Sequence, residues 1–207
     1  MTEEPSVPKI KTFVDCVAFL ISAIFSPYIM VLVFAVVMIY SFSENLKQFL
    51  PWMLTFLIFA VIVPGLYALW MLESKKITDL HMSILSERKK PFIIASISAL
   101  FGAMILFFMG ATKQVTVMAL TYAVNAMVVA AITQFWKISI HTALLSSVVT
   151  IAVILFGLPY AWFYLFLIPL IWSRIHRRRH TIWQTVAGAM IAFIITTIIF
   201  WIFGYIK

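Results

Sequence analysis

Long apolar stretches recur from one end of this chain to the other, separated only by short polar segments. Hydrophobic residues make up 64% of its 207 residues and charged residues only 11%. A water-soluble domain of this size would lack the polar surface to cover itself. In a bilayer, backbone polar groups must be satisfied within the segment, so runs of this kind are expected to cross as α-helices. The first run, Phe13 to Phe42, is far longer than a signal-peptide core and carries no clear small-residue cleavage signal, so secretory cleavage is not expected. The fold class expected is all-α, a polytopic integral membrane helical bundle of about six or seven transmembrane helices. Residues 1–12 form a polar N-terminal tail and 13–207 a single transmembrane domain.

Breaker residues and polar runs set the expected spans. The first covers about 13–40, with Pro27 as a potential kink. The second covers about 50–72 and contains Pro64-Gly65. A polar loop, 73–91, follows, then spans at about 92–111 and 115–135. The segment 142–172 is too long for one ordinary span, and Gly157-Leu158-Pro159 breaks it near its middle. It is read as a hairpin of two short arms, 142–156 and 160–173, each roughly 22 Å long from the helical rise. The last span covers about 182–204.

This order places the N-terminus, the 73–91 loop, the run WKISIH at 136–141 and the run SRIHRRRHT at 173–181 on one side. Of the 15 Lys and Arg residues, that side holds all except Lys47, Lys113 and Lys207. The positive-inside rule assigns the rich side to the cytoplasm. The formal charge of +8 is thereby explained by membrane topology and anionic headgroups, and no nucleic-acid motif accompanies it. The single Cys16 cannot form an internal disulfide, and no cysteine cluster points to zinc or iron–sulfur.

Three polar segments on that side carry the candidate chemistry. The 73–91 loop holds Asp79, His81, Arg88 and Lys90; the second segment holds Lys137, Ser139 and His141. In the third, Arg174 precedes His180, and Gln184 follows one helical turn after it. At i,i+4 on a helix, Gln184 can accept from one ring nitrogen of His180, fix the tautomer and leave the other nitrogen's lone pair free. Arg174 can grip two anionic oxygens with a planar fork, and a helix N-terminus favours an anion. A histidine nucleophile, an arginine clamp and a second histidine, His141, as general acid suit a phosphoryl group.

The pattern resembles the type 2 phosphatidic acid phosphatase (PAP2) superfamily, whose motifs run K-x6-R-P, then P-S-G-H, then S-R-x5-H-x3-D. Ser173-Arg174 and His180 fit the third element with its spacing, and Gln184 stands where that element has aspartate. Ser139-Ile140-His141 is similar to S-G-H. In the first element Arg88 has His81 in place of the lysine, and Lys90-Pro91 keeps the basic–proline pair with Ser83 seven positions before Lys90.

The resemblance implies a PAP2-like core and hydrolysis of a lipid phosphate or an isoprenyl phosphate or diphosphate. His180 would attack phosphorus and form a phosphohistidine; His141 would protonate the departing oxygen and later activate water. Arg174, Ser139 and Arg88 would bind phosphate oxygens, with Lys90 and Lys137 as further candidates. No cofactor and no metal is implied. Gln184 would orient the ring of His180 but would not supply the carboxylate's charge, and Asp79 is an alternative orienting group. The partners expected are the lipid substrate and membrane lipids, in the plasma membrane with the site facing the cytoplasm. The competing expectation is a catalytically impaired relative with a lipid-binding or structural role. Plainer roles also exist for single residues: Ser139 as a helix cap, Arg88 and Lys90 as headgroup contacts, Asn125, Ser146 and Ser147 as packing polar groups.

Overall fold

A computed structural model describes residues 12–80, 82 and 84–206; His81, Ser83, Lys9, Lys11 and Lys207 lie outside the described residues. The fold is an all-α polytopic bundle. Its helices are α1 (Phe13–Ile24), α2 (Pro27–Phe42), α3 (Leu46–Leu57), α4 (Val63–Glu73), α5 (Leu85–Phe108), α6 (Lys113–Thr133), α7 (Ile140–Phe156), α8 (Leu167–His176) and α9 (Ile182–Ile202). Among the described residues, five helical stretches are long and apolar enough to cross a membrane, and the bent pair α1–α2, taken as one span, brings the number to six.

The expected first span is broken. Ser26 caps α2, Pro27 occupies its first turn, and α1 and α2 diverge by 42°. Proline suits this place because its missing N–H is not needed at a helix start. The second span runs from α3 to α4 through one π-helical turn, Ile58–Ile62. Pro64 has no N–H to return to that turn. Instead, the hydroxyls of Ser98 and Tyr122 donate to the carbonyls of Phe59, at 2.6 Å, and Ala60, at 3.4 Å. Gly102 lets α5 approach closely here: a Cβ on it would sit 2.6 Å from Phe59 Cβ.

The hairpin arms differ from the short pair expected. α7 is 17 residues long, about 26 Å by helical rise. The return arm begins as a 3₁₀ segment, Leu158–Phe166, which continues into α8. Because a 3₁₀ helix rises more per residue, the 19-residue arm reaches about 33 Å. Gly157, at φ +105°, makes the reversal between the arms.

α5 starts at Leu85, well before the expected boundary, so the ERKKP run is helical and its two candidates point apart. Arg88 is buried, whereas Lys90, two residues on, is exposed. In the interior, Asn125 of α6 donates to Thr196 of α9 at 3.2 Å, and Thr196 lies 2.8 Å from Ser147 of α7. These groups tie three helices together, as the packing reading expects.

Candidate active site

Backbone geometry explains the spacing from Arg174 to His180. α8 ends with Arg178 in the left-handed region, φ +52°. The N–H of Arg178 bonds Ile175 O at 2.8 Å and that of Arg179 bonds Arg174 O at 3.1 Å. This pair of bonds is a Schellman closure, built here on arginine instead of glycine. The N–H of His180 also reaches Arg174 O, at 3.3 Å, which folds the histidine back beside the arginine.

α9 then starts with a capping box. Gln184 N donates to Thr181 Oγ1 at 3.3 Å, and Thr181 N donates to Gln184 Oε1 at 3.1 Å. The same Oε1 lies 3.2 Å from His180 Nδ1. A backbone N–H is always a donor, so the atom facing Thr181 is the amide oxygen. Nδ1 must therefore carry its proton to donate to that oxygen, and the lone pair of His180 sits on Nε2. Burial first, then the fields of Arg174, Arg88 and Lys137, push the His180 pKa down to about 3 against the raising effect of Gln184. The ring is neutral near pH 7, the form a nucleophile needs.

The second segment is bound to the third. Ser139 N donates to Gln184 O at 3.1 Å, and Thr142 Oγ1 donates to Thr185 O at 2.8 Å. Gly188 permits this closeness, since a Cβ there would lie 2.6 Å from Ser139 O. His141 follows in the first turn of α7 and is buried. Ser139 holds the N-cap position, but its side chain makes no capping bond; its buried Oγ has no partner among the described residues.

The first segment joins through Arg88. Its Nε donates to Met82 O at 2.6 Å and its Nη1 to Ile138 O at 3.3 Å. Arg174 donates from Nη1 to Ser22 Oγ at 2.6 Å, and its buried Nε has no partner among the described residues. Both arginines are about 4% exposed. Buried cations of this kind are costly without an anion.

Arg88, His141, Arg174 and His180 line one end of a cavity of about 230 Å³. Its further walls are mostly apolar, with Val31, Phe34, Phe56, Ala60, Leu144 and Ile151 among them, and Asn125 and Ser147 add polar groups. Ile151 lies ten residues beyond His141 on α7, so the shaft extends about 15 Å from the cationic end.

Lys137 stands beside this end and is half-buried. Burial, then Arg88, Arg179 and Arg174, lower its pKa to about 8, with Asp79 acting the other way. Asp79 thus serves the cations, and the orienting contact to His180 comes from Gln184. Lys90 is not among the cavity-lining residues. Sequence reading missed Ser22, which lies outside the three motif elements, and assigned no role to Arg179, one of the five residues between Arg174 and His180. Among the described residues, no group of three or more His, Cys, Asp or Glu side chains could hold a metal ion. No family model, curated protein or solved structure matches the chain.

Proposed function

We propose that this chain is a membrane phosphatase that hydrolyses a lipid phosphate or isoprenyl (di)phosphate through a phosphohistidine, as a divergent member of the PAP2 superfamily. One observation carries the reading: two histidines and two buried arginines line the end of a cavity whose other walls are mostly apolar. A phosphate fits the cationic end and a hydrocarbon tail the shaft.

His180 Nε2 attacks phosphorus as the bond to the lipid oxygen breaks, and protonated His141 gives that oxygen its proton. Water then attacks the phosphohistidine, its proton passes to His141, and the N–P bond breaks to release phosphate. Arg88 and Arg174 hold the non-bridging oxygens, and the N-terminus of α7 adds a favourable dipole. The test is phosphate release from a lipid phosphate panel in EDTA by the wild type, His180→Ala and His141→Ala. Equal background release from all three sinks the proposal.

A second reading is favoured by Gln184, whose one carbonyl is shared between Thr181 N–H and His180. It supplies no negative charge to a developing imidazolium, which suits a protein that binds lipid phosphate without turning it over. Saturable binding with no release above background would select that reading.

The charge distribution supports a site that faces the cytoplasm. Arg88–Ile138 and Ser139–Gln184 contacts gather the basic segments at one end, and Lys113 stacks on Tyr205 beyond the last turn of α9. Labelling of a Lys75→Cys variant from outside intact cells would reverse this orientation.

A further inference from the structure

α1 belongs to none of the three motif elements, yet one of its faces is fitted to the segment that carries Arg174 and His180. Asp15, Ala18 and Ser22 recur at i, i+3 and i+7 and so share a face. Asp15 Oδ1 lies 2.8 Å from His176 Nε2, and Ser173 Oγ donates to Ala18 O at 2.6 Å. Ser22 Oγ accepts from Arg174 Nη1 at 2.6 Å. Beside this face, the Arg177 guanidinium lies over the Phe19 ring, 5.1 Å from its centroid. Ser22 is 3% exposed, so its hydroxyl meets the arginine away from competing water.

A guanidinium can clamp two oxygens with either of two edges, one made by Nη1 and Nη2, the other by Nε and Nη2. Ser22 engages Nη1. The unengaged edge includes Nε, which is buried and without a partner among the described residues. We infer that Ser22 is a positioning residue: it anchors Nη1 so that Arg174 presents its Nε–Nη2 edge to the phosphate. α1 is therefore part of the site although it touches no substrate. This inference rests on the phosphatase reading above.

The test compares Ser22→Ala, Ser22→Thr and Arg174→Lys, alone and combined, in the full-length protein, with monodispersity and melting temperature checked for each. Loss of a hydrogen bond to a charged group predicts a fall in kcat/KM of about tenfold for Ser22→Ala. Ser22→Thr keeps the hydroxyl and stays within about twofold of wild type. With Arg174→Lys already present, Ser22→Ala costs nothing more, because no guanidinium edge remains to be selected. A purely structural serine would lose the same factor in both backgrounds, and that result overturns the inference. So does wild-type behaviour of Ser22→Ala. If the wild type hydrolyses no lipid phosphate, the phosphatase reading fails separately, and the readout becomes the dissociation constant for orthovanadate. A tenfold weakening by Ser22→Ala, absent in the Arg174→Lys background, still supports the positioning role; an unchanged constant, or no vanadate binding, overturns it.

Discussion

Gln184→Glu isolates one variable at the proposed nucleophile. Glutamate has the same length as glutamine and is the usual third residue of a capping box that begins with threonine, so the start of α9 is preserved. What changes is a full negative charge at the oxygen now 3.2 Å from His180 Nδ1. An opposite charge at that distance raises an imidazole pKa by about 1 to 3. His180 is held near 3 by burial and by Arg174, Arg88 and Lys137, so the variant is expected to titrate between about 4 and 6. The ring stays mostly neutral at pH 7 in both proteins. The charge that builds on it as the N–P bond forms is stabilised only in the variant. A tenfold rise in the ring's proton affinity corresponds to about 1.4 kcal/mol, which is the upper bound on what the forming N–P bond gains from it. At pH 7, kcat is expected to rise by up to about tenfold for each unit by which the ring's pKa rises. Stability shifts in the same sense. The unfolded ring binds a proton near 6.5 and the folded ring only near 3, so stability falls as pH drops through that window, and the substitution narrows it from below. The assay is a nitrogen-15 histidine titration in detergent, paired with phosphate release at each pH. A wild-type His180 that titrates near 6.5, or an identical titration in both proteins, refutes the account of burial and field. A proton found on Nε2 refutes the tautomer.

Four further outcomes follow from the geometry. Gly188→Ala places a methyl 2.6 Å from Ser139 O, which forces α9 away from the second segment; the expected loss is about 1 to 3 kcal/mol in unfolding together with most of the activity. Arg178→Gly relieves the left-handed arginine that closes α8 and is expected to stabilise by about 1 kcal/mol, read as a higher denaturation midpoint. Lys137 is charged below about 8, so phosphate affinity should decline as pH rises through that value, and Lys137→Met should remove this alkaline limb from the kcat/KM profile. Ala60→Trp fills the apolar shaft and should abolish turnover of a long-chain lipid phosphate while sparing a short soluble phosphate ester; equal loss on both would show that the shaft does not hold the tail.

What was legible in the sequence was what local chemistry dictates. The apolar runs mark the helices because a bilayer leaves backbone groups few other partners, and Gly157-Leu158-Pro159 marks the hairpin because α-helix cannot continue through it. Gln184 could be paired with His180 because one helical turn separates them. The fate of ERKKP was less legible. Hydropathy places a boundary where the apolar run begins, but α5 already starts at Leu85, within the polar stretch, and its step of about 100° per residue buries Arg88 and turns Lys90 outward. The return arm was misjudged in length because hydropathy does not distinguish 3₁₀ from α-helix. Ser22 was invisible for a different reason. It lies 152 residues from Arg174, is one serine in an apolar helix, and its use depends on the bend at Pro27 and on the arginine edge it engages. Motif spacing records contacts made within a helical turn or a loop closure; contacts made between helices leave no spacing. The residues that orient a site from a neighbouring helix, as Ser22 does Arg174, are therefore the ones a linear reading passes over, whereas an orienting residue one turn away, such as Gln184, is in plain view.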